Sequence, residues 1–390
     1  MGQEERGYHN VSDKPTELEE SRKKLDAIDE KIVSLFEQRM EISEEVARWK
    51  IANGMQVLDR KRERQKLQSL GALATSDFNR RGITELYEQI MAISRKRQYQ
   101  MMDEAKALHN LPFIKVDHLV TEKTKVVYQG AAGSYSEAAM KQFFGRDIKN
   151  FCVDSFRDAM TAIEEGAADY AVLPIENSTA GIVSENYDLL NEFENYIVGE
   201  QIIPIRHCLM GVPGTTEQTI RTVYSHAQSL MQSDKFLEEH PSWQAVSMAN
   251  NAFAARKVAE DHDITEAAIA SRYAAEAYGL NIIREGVNQA ASNSTRFIIC
   301  TNQKIFLEGA KKISLILEIE HESGSLYRIL SHFIYNNLNM TKIESRPIED
   351  RNFEYRFFID FEGSLEDSAV RNALRGLRDE TKYLKILGNY

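Results

Sequence analysis

Apolar residues recur at alternating spacings of three and four near the start of the chain: Leu25, Ile28, Ile32, Leu35, then Ile42, Val46 and Trp49. That period predicts a long amphipathic helix with one buried stripe. The position of the seven-residue repeat shared by Leu25, Ile32 and Val46 also holds Arg39, inside "LFEQRMEISEEV". No proline lies between Pro15 and Pro112, and Gly54, Gly71 and Gly82 read as breaks. The pattern predicts one helix up to Asn53, a second from Val57 to Leu70 and a third from Arg80 to Leu108. The segment "HNLPFIKVDHLVTEKT" loses the period and reads as a linker.

From Lys125 short strand-like runs alternate with helical stretches: "KVVYQG", "YAVLPIE", "TVYSH", "AAIAS" and "RFIIC". This is α/β patterning, in which loops at strand ends carry ligands. From Lys312 the texture changes again. "ISLILEIE" alternates, "SLYRILSHFIYNN" is amphipathic, "MTKIESRP" and "FEYRFFIDFEG" are extended, and a helix near Leu365 to Arg378 precedes "YLKIL". The order βαββαβ is that of a ferredoxin-like split βαβ unit. The expected organisation is multi-domain: an all-α domain over 15–108, a linker over 109–123, an α/β domain over 124–303 and an α+β domain over 312–390.

Composition fits this picture, with 43% apolar and 27% charged residues. A net charge of -11 excludes a general nucleic-acid binder, the basic cluster "RKRER" at Arg60 notwithstanding. Cys152, Cys208 and Cys300 form no disulfide or metal-ligand spacing and read as buried thiols in a reducing cytosol. "MGQEERGYHN" has no signal-peptide core, Arg6 stands where myristoylation needs a hydroxyl, and no apolar run reaches membrane-spanning length. A cytoplasmic protein is expected.

A buried guanidinium needs a counter-charge, because an unpaired buried ion is strongly destabilising. Lys50 lies eleven residues after Arg39, which on an ideal helix is nearly the same face, whereas Arg22 faces elsewhere. Asp59, Arg62 and Glu63 are spaced i, i+3, i+4, and Ser94 and Gln98 are an i, i+4 pair. Inward cations, two acids, a hydroxyl and an amide suit a small polyanion with hydroxyl and ether oxygens. In the α/β region, Ser134 with Glu137 in "YQGAAGSYSEAAM" fits a capping box, and GxGxxG is absent. "LPIENSTAGIV", "VYSHAQSLMQS" and "ASNSTRFIIC" place hydroxyls, amides and one arginine at strand ends. His226 could act as a base, but Ser225 beside it points away on an extended chain, so no triad forms. Such groups suit a reaction with its own driving force, needing hydrogen bonds to a leaving group.

"SRKKLDAIDEKIVSLFEQRMEISEEVARWK", "VLDRKRERQKL" and "ELYEQIMAISRKRQ" resemble the all-helical chorismate mutase family. The resemblance implies an intertwined dimer that rearranges chorismate to prephenate. Arg39, Lys50, Asp59, Arg62, Glu63, Ser94 and Gln98 would line one site, and Arg22 would reach into the second subunit's site. The reaction is pericyclic and works by holding the substrate and stabilising charge at the ether oxygen. Arg22, Arg39 and Arg62, with Ser94, would hold carboxylates. Lys50 and Gln98 would donate to the ether oxygen. Asp59 and Glu63 would orient the hydroxyl, with Glu63 supporting Lys50.

The central region resembles prephenate dehydratase in its GSYS loop, ENS segment, YSH…Q segment and TRF motif. That family is two-lobed, like type II periplasmic binding proteins, and expels carbon dioxide and the ring hydroxyl to give phenylpyruvate. Thr295 would donate to the departing hydroxyl, Arg296 hold a carboxylate, Phe297 pack the strand, and Asn177, Ser225 and Gln232 complete a polar wall. "GAAGSYS" lacks the proline frequent in the family's loop.

"EHESGSLYRIL" and "KIESRPIED" resemble the ACT regulatory domain, whose phenylalanine site lies at a dimer interface. Gly324, Ser325 and Leu326 match one motif, with Tyr327 replacing a small aliphatic residue, and Glu344, Ser345, Arg346 and Pro347 match the other. Together the resemblances imply a bifunctional, feedback-controlled, cofactor-free and metal-free homo-oligomer of phenylalanine biosynthesis. The competing expectations are a non-catalytic amino-acid sensor and an arogenate-preferring dehydratase.

Overall fold

The computed structural model describes residues 15–104, 112–290, 292–349 and 351–390. The N-terminal stretch 1–14, the final expected turns of the third helix (105–108) and the first linker residues (109–111) lie outside them. The chain forms two compact units: the N-terminal helices with Arg371–Asp379, and Asn110–Val370 with Glu380–Tyr390.

In the first unit α1 spans Pro15–Ala52, α2 Arg60–Gly71 and α3 Asp77–Glu104. α2 begins later than the period predicts because Asp59 caps it, its side chain accepting from the Arg62 amide at 2.9 Å. Asp59 thus precedes the helix rather than sharing a turn of it with Arg62 and Glu63. Val57, in the preceding turn, is buried with Tyr99 and Met102 against Ile51. α3 begins earlier than expected because the Ser76 hydroxyl accepts from the Asn79 amide at 3.1 Å. Gly82 therefore lies inside α3 and is no break. One internal glycine costs about 1 kcal/mol, which a helix of this length tolerates.

The apolar stripe of α1 is not buried within the chain. Leu25 is 58% exposed, Ile32 53%, Leu35 64% and Trp49 59%. The face toward α3 is a different one, carrying Met40, Ser43 and Ala47, with Arg39 and Lys50 half-buried along it. Arg39 therefore belongs to the intrachain face. The stripe is a second face of the 38-residue helix, which no described residue of the chain covers from Leu25 to Trp49.

The second unit holds two large sheets. Among the described residues the larger has ten strands. Lys149–Val153, Lys125–Gln129 and Tyr170–Asn177 run parallel, followed by Ser294–Thr301, which is antiparallel to both its neighbours, Tyr170–Asn177 and Tyr196–Pro204. It continues through Tyr383–Asn389, Lys312–Glu318 and Tyr355–Glu362 to the edge strand Met340–Pro347. The two halves meet where Gly388 pairs with Ile197. A Cβ there would sit 1.9 Å from the Ile197 carbonyl oxygen, so only glycine permits the join. The other sheet is ordered Asn281–Glu285, His207–Gly211, Glu266–Ser271, Thr222–His226, Gln244–Met248. Each sheet is packed by helices on buried Val, Ile, Leu and Ala, giving two α/β lobes. The C-terminal elements follow the expected βαββαβ order, with sheet order Met340–Pro347, Tyr355–Glu362, Lys312–Glu318, Tyr383–Asn389.

Two expectations are corrected here. The described part of the linker is folded: Ile114–Val116 pairs with Ile305–Leu307, and the Leu119 carbonyl accepts from the Tyr170 hydroxyl at 2.8 Å. Cys208 and Cys300 are buried free thiols, but Cys152 is exposed.

Candidate functional sites

Between the two lobes lies a cavity of about 500 Å³ lined from both sides, by Gly130, Ser134, Ser136, Asn177, Thr295 and Phe297 and by His207, His226, Gln232 and Asn251. Helices starting at Tyr135 and Asn251 open onto it, capped by Ser134 and Asn250. Their first free amides favour anions. The expected capping box is displaced: Ser134 accepts from the Glu137 amide, but the Glu137 carboxylate reaches back to the Gly133 amide at 2.6 Å. Gly133, at φ +80°, lies against Ala274 of the opposite lobe, where a Cβ would come within 2.4 Å of its Cα. The Gly133 carbonyl also accepts from the Ser271 hydroxyl at 2.5 Å, joining the lobes at the cavity's rim.

Asn177, Gln232 and Thr295 come together here. Asn177 Nδ2 donates to Thr295 Oγ1 at 2.9 Å, and Gln232 Nε2 donates to Thr179 Oγ1 at 3.1 Å. Thr179 donates in turn to Asn177 Oδ1 at 2.8 Å. Thr295 accepts from Asn177, and among the described residues no acceptor takes its hydroxyl hydrogen, which is free for a ligand in the cavity. Phe297, two residues on, also lines the wall.

Arg296 does not. Adjacent strand residues face opposite ways, and its guanidinium lies among Asp360 at 3.0 Å, Glu200 at 3.3 Å and Glu176 at 3.5 Å. Burial pulls its pKa down, but Asp360 and its other partners outweigh this and the pKa is raised. It is a structural ion-pair centre, not a carboxylate holder in the cleft. Ser225 is likewise outside the cavity lining: it is fully buried, donating to the Ile269 carbonyl at 2.5 Å and contacting Asn251 Oδ1 at 2.9 Å. It steadies Asn251, which does line the cavity. Thr179 and Asn293 stood inside the quoted ENS and TRF segments without an assigned role, and His207 was missed. His207 begins a short apolar strand, "HCLMG", which carries no periodicity to mark it.

In the helical unit Arg39 Nη1 donates to Ser94 Oγ at 2.6 Å. Gln98 Nε2 donates to Ser43 Oγ at 3.1 Å, while its buried Oε1 has no partner among the described residues. Lys50 Nζ donates to the Val57 carbonyl at 2.5 Å. Burial lowers the pKa of both Arg39 and Lys50. Glu63 Oε2 pairs with Arg95 Nη1 at 2.5 Å, and its charge still acts on Lys50 to raise that pKa against burial. Arg95, next to Ser94, is a buried cation the sequence reading passed over. Arg22, Asp59 and Arg62 are exposed.

Gly324, Ser325, Leu326 and Tyr327 line a separate cavity of about 420 Å³ with Glu354, Tyr355 and Phe357. Glu344, Ser345, Arg346 and Pro347 are on the edge strand and do not line it. Arg346 pairs instead with Asp188 at 2.6 Å.

The chain matches the family described as chorismate mutase type II over residues 21–99 and that described as prephenate dehydratase over 126–305. It is 32% identical over 376 residues to the bifunctional chorismate mutase/prephenate dehydratase of Escherichia coli K12, covering 95% of both chains. It is 38% identical over 285 residues to the chloroplastic arogenate dehydratase 3 of Arabidopsis thaliana, covering 68% of this chain and 66% of that one. Among solved structures it is similar to prephenate dehydratase of Arthrobacter aurescens in complex with L-Phe. That likeness has a TM-score of 0.63 at 31% identity, covering 68% of this chain and 89% of the other.

Proposed function

The chain belongs to the family of bifunctional chorismate mutase/prephenate dehydratases, and from that premise we propose how its residues divide the work. It converts chorismate to prephenate and prephenate to phenylpyruvate. The observation that carries the division is the Thr295 hydroxyl, which accepts from Asn177 and keeps its hydrogen for the cavity.

In the dehydratase step the bond to the departing carboxylate breaks, and its electron pair enters the ring as the hydroxyl leaves. Thr295 donates to that hydroxyl, which departs as water, and solvent restores the proton. With Arg296 turned away, prephenate's carboxylates are met by the free amides at the helix starts of Tyr135 and Asn251. Prephenate is the preferred substrate of this reading. The plant arogenate dehydratase likeness makes arogenate its competitor, and comparing turnover of the two decides it.

In the mutase step Arg39, with Ser94, holds a carboxylate, while Lys50 and Gln98 face the ether oxygen. Turning the Gln98 amide over lets Ser43 donate to Oε1 and frees the NH₂ for that oxygen. Arg62 and Arg22 are exposed in one chain and act on substrate once a second copy covers the α1 stripe. An intertwined homodimer is part of this reading, as is a cytosolic location. The domains are 15–108, 124–303 and 312–390, the second built like a two-lobed periplasmic binding protein. The third is a ferredoxin-like ACT module, supported by its strand order. It binds phenylalanine at the Gly324–Tyr327 loop, with Glu344–Pro347 completing the site across a dimer interface. No cofactor or metal enters either step.

The test uses the full chain. Arg39→Ala removes chorismate consumption by about a hundredfold or more while supplied prephenate still turns over. Thr295→Ala does the reverse, and prephenate accumulates from chorismate. Loss of both activities from either substitution in a folded protein overturns the division.

A further inference from the structure

We infer that His207 is a positioning residue of the dehydratase step: its Nε2–H holds the Gln232 amide so that a hydrogen-bonded ring closes across the cleft behind Thr295. The inference rests on the reading of Thr295 as the donor to the leaving hydroxyl.

The hydrogen positions follow one from another, starting from backbone. The Thr179 and Ala180 amides donate to Asn177 Oδ1 at 3.1 and 3.0 Å, which fixes the Asn177 amide. Its Nδ2 then donates to Asn293 Oδ1 at 2.8 Å as well as to Thr295. Asn293 must therefore turn its Nδ2 to Gln232, donating to Oε1 at 3.4 Å. The reversed Gln232 amide would set two NH₂ groups against each other. Oriented correctly, Gln232 donates to Thr179, and its Oε1 stands 3.1 Å from His207 Nε2. An amide oxygen only accepts, so the hydrogen of the neutral ring is on Nε2. Nδ1 is left as an acceptor, 3.2 Å from the Tyr135 hydroxyl, whose single hydrogen is shared with the Arg206 carbonyl at 3.0 Å.

Gln232 is the second lobe's member of this ring; Thr179, Asn177 and Asn293 come from the strand ends of the first. It ends a six-residue helix, Ala227–Gln232. His207, 2% exposed at the start of the strand His207–Gly211, is the group that grips its oxygen from within the second lobe. Burial lowers the His207 pKa, which keeps the neutral tautomer the ring requires. Without His207 the Gln232 oxygen keeps only the 3.4 Å contact from Asn293, so its side chain, its donation to Thr179 and the polar wall against Thr295 are held less rigidly. Substrate binding through helix amides is untouched, so the loss belongs to kcat and not to KM.

The experiment measures prephenate turnover by the full chain carrying His207→Phe, His207→Gln, Gln232→Leu or both His207→Phe and Gln232→Leu, with Thr295→Val as control. His207→Phe is expected to lower kcat about tenfold with KM for prephenate nearly unchanged. His207→Gln, whose amide NH₂ reaches the Nε2 position, recovers most of it. The double variant is no worse than Gln232→Leu alone, because both act through one bond. Chorismate consumption is unchanged in all of them, and a native urea-unfolding transition shows that the unit carrying the substitutions is folded. If His207→Phe folds poorly, the comparison of His207→Gln with and without Gln232→Leu carries the same test. Full kcat in His207→Phe, or additive losses in the double variant, overturns the inference. An active Thr295→Val overturns the underlying reading of Thr295 instead.

Discussion

Arg296 shows what one side chain's direction decides. Thr295 and Phe297 face the cleft, and the residue between them faces a buried carboxylate, Asp360, which also accepts from the Ser314 hydroxyl at 2.5 Å. Arg296→Ala leaves Asp360 uncompensated, at an expected cost of about 3–5 kcal/mol, read by urea unfolding. The KM for prephenate in the folded fraction should stay close to the native value. A large rise would restore Arg296 as a substrate ligand. His207 gives a pH signature. Tyr135 and Gln232 flank its ring, the Arg206 carbonyl receives the Tyr135 hydroxyl, and Asn288 accepts from the His207 amide. Its folded pKa lies below 6.5, so between the two values the unfolded chain binds the proton and the folded chain does not. Stability is therefore lost as pH falls below about 6.5, by up to about 1.4 kcal/mol per pH unit from this group. His207→Gln should flatten that part of the urea-unfolding profile. Asn177, Gln232 and Thr295 were reached through the family resemblance of the segments that hold them, whereas strand-end chemistry alone reads equally as turns. The outward turn of Arg296 and the burial of Ser225 were not, because they depend on which neighbour supplies a counter-charge or an acceptor.

At the scale of elements, α1 was legible as a helix but not in its use of faces. Period alone marks which residues want to be buried, not by what. Within one chain α3 takes the Ser43 and Ala47 face, and the Leu25–Trp49 stripe remains open. Burial of each such side chain stabilises by about 1.5–3 kcal/mol. Replacing Ile32 and Leu35 by glutamate should convert the proposed dimer to monomer by light scattering and abolish mutase activity. Prephenate turnover should persist in the double variant. A wild-type monomer with full mutase activity would sink the intertwined reading. The ends of α2 and α3 moved from their predicted places because Asp59 and Ser76 cap them, and a single side-chain hydrogen bond overrides a periodic pattern at a helix end.

In the second unit the C-terminal strands continue the sheet of the first lobe, and ion pairs reinforce the continuity. Lys342 of the edge strand pairs with Glu176 at 2.8 Å, one residue before Asn177. Asp360 pairs with Arg296, one residue after Thr295, and Arg346 pairs with Asp188. The strands that carry the proposed phenylalanine module thus grip the strands that carry the cleft. Lys342→Ala should leave dehydratase activity without phenylalanine nearly unchanged and weaken inhibition by added phenylalanine several-fold. Such coupling is a free energy of about 1–3 kcal/mol. Unaltered inhibition would mean that this pair carries none of it.

The sequence by itself determined the three textures and the βαββαβ order, because periodicity is local, and its motifs carried the family resemblance from which the two proposed sites follow. Only the tertiary structure decided which strands join into one sheet through Gly388 and which face of α1 is spent inside the chain. It also decided which polar residues look into the cleft and which are consumed as structural pairs. Those outcomes depend on partners distant in sequence: Asp360 for Arg296, Ile269 for Ser225, and Gln232 for His207.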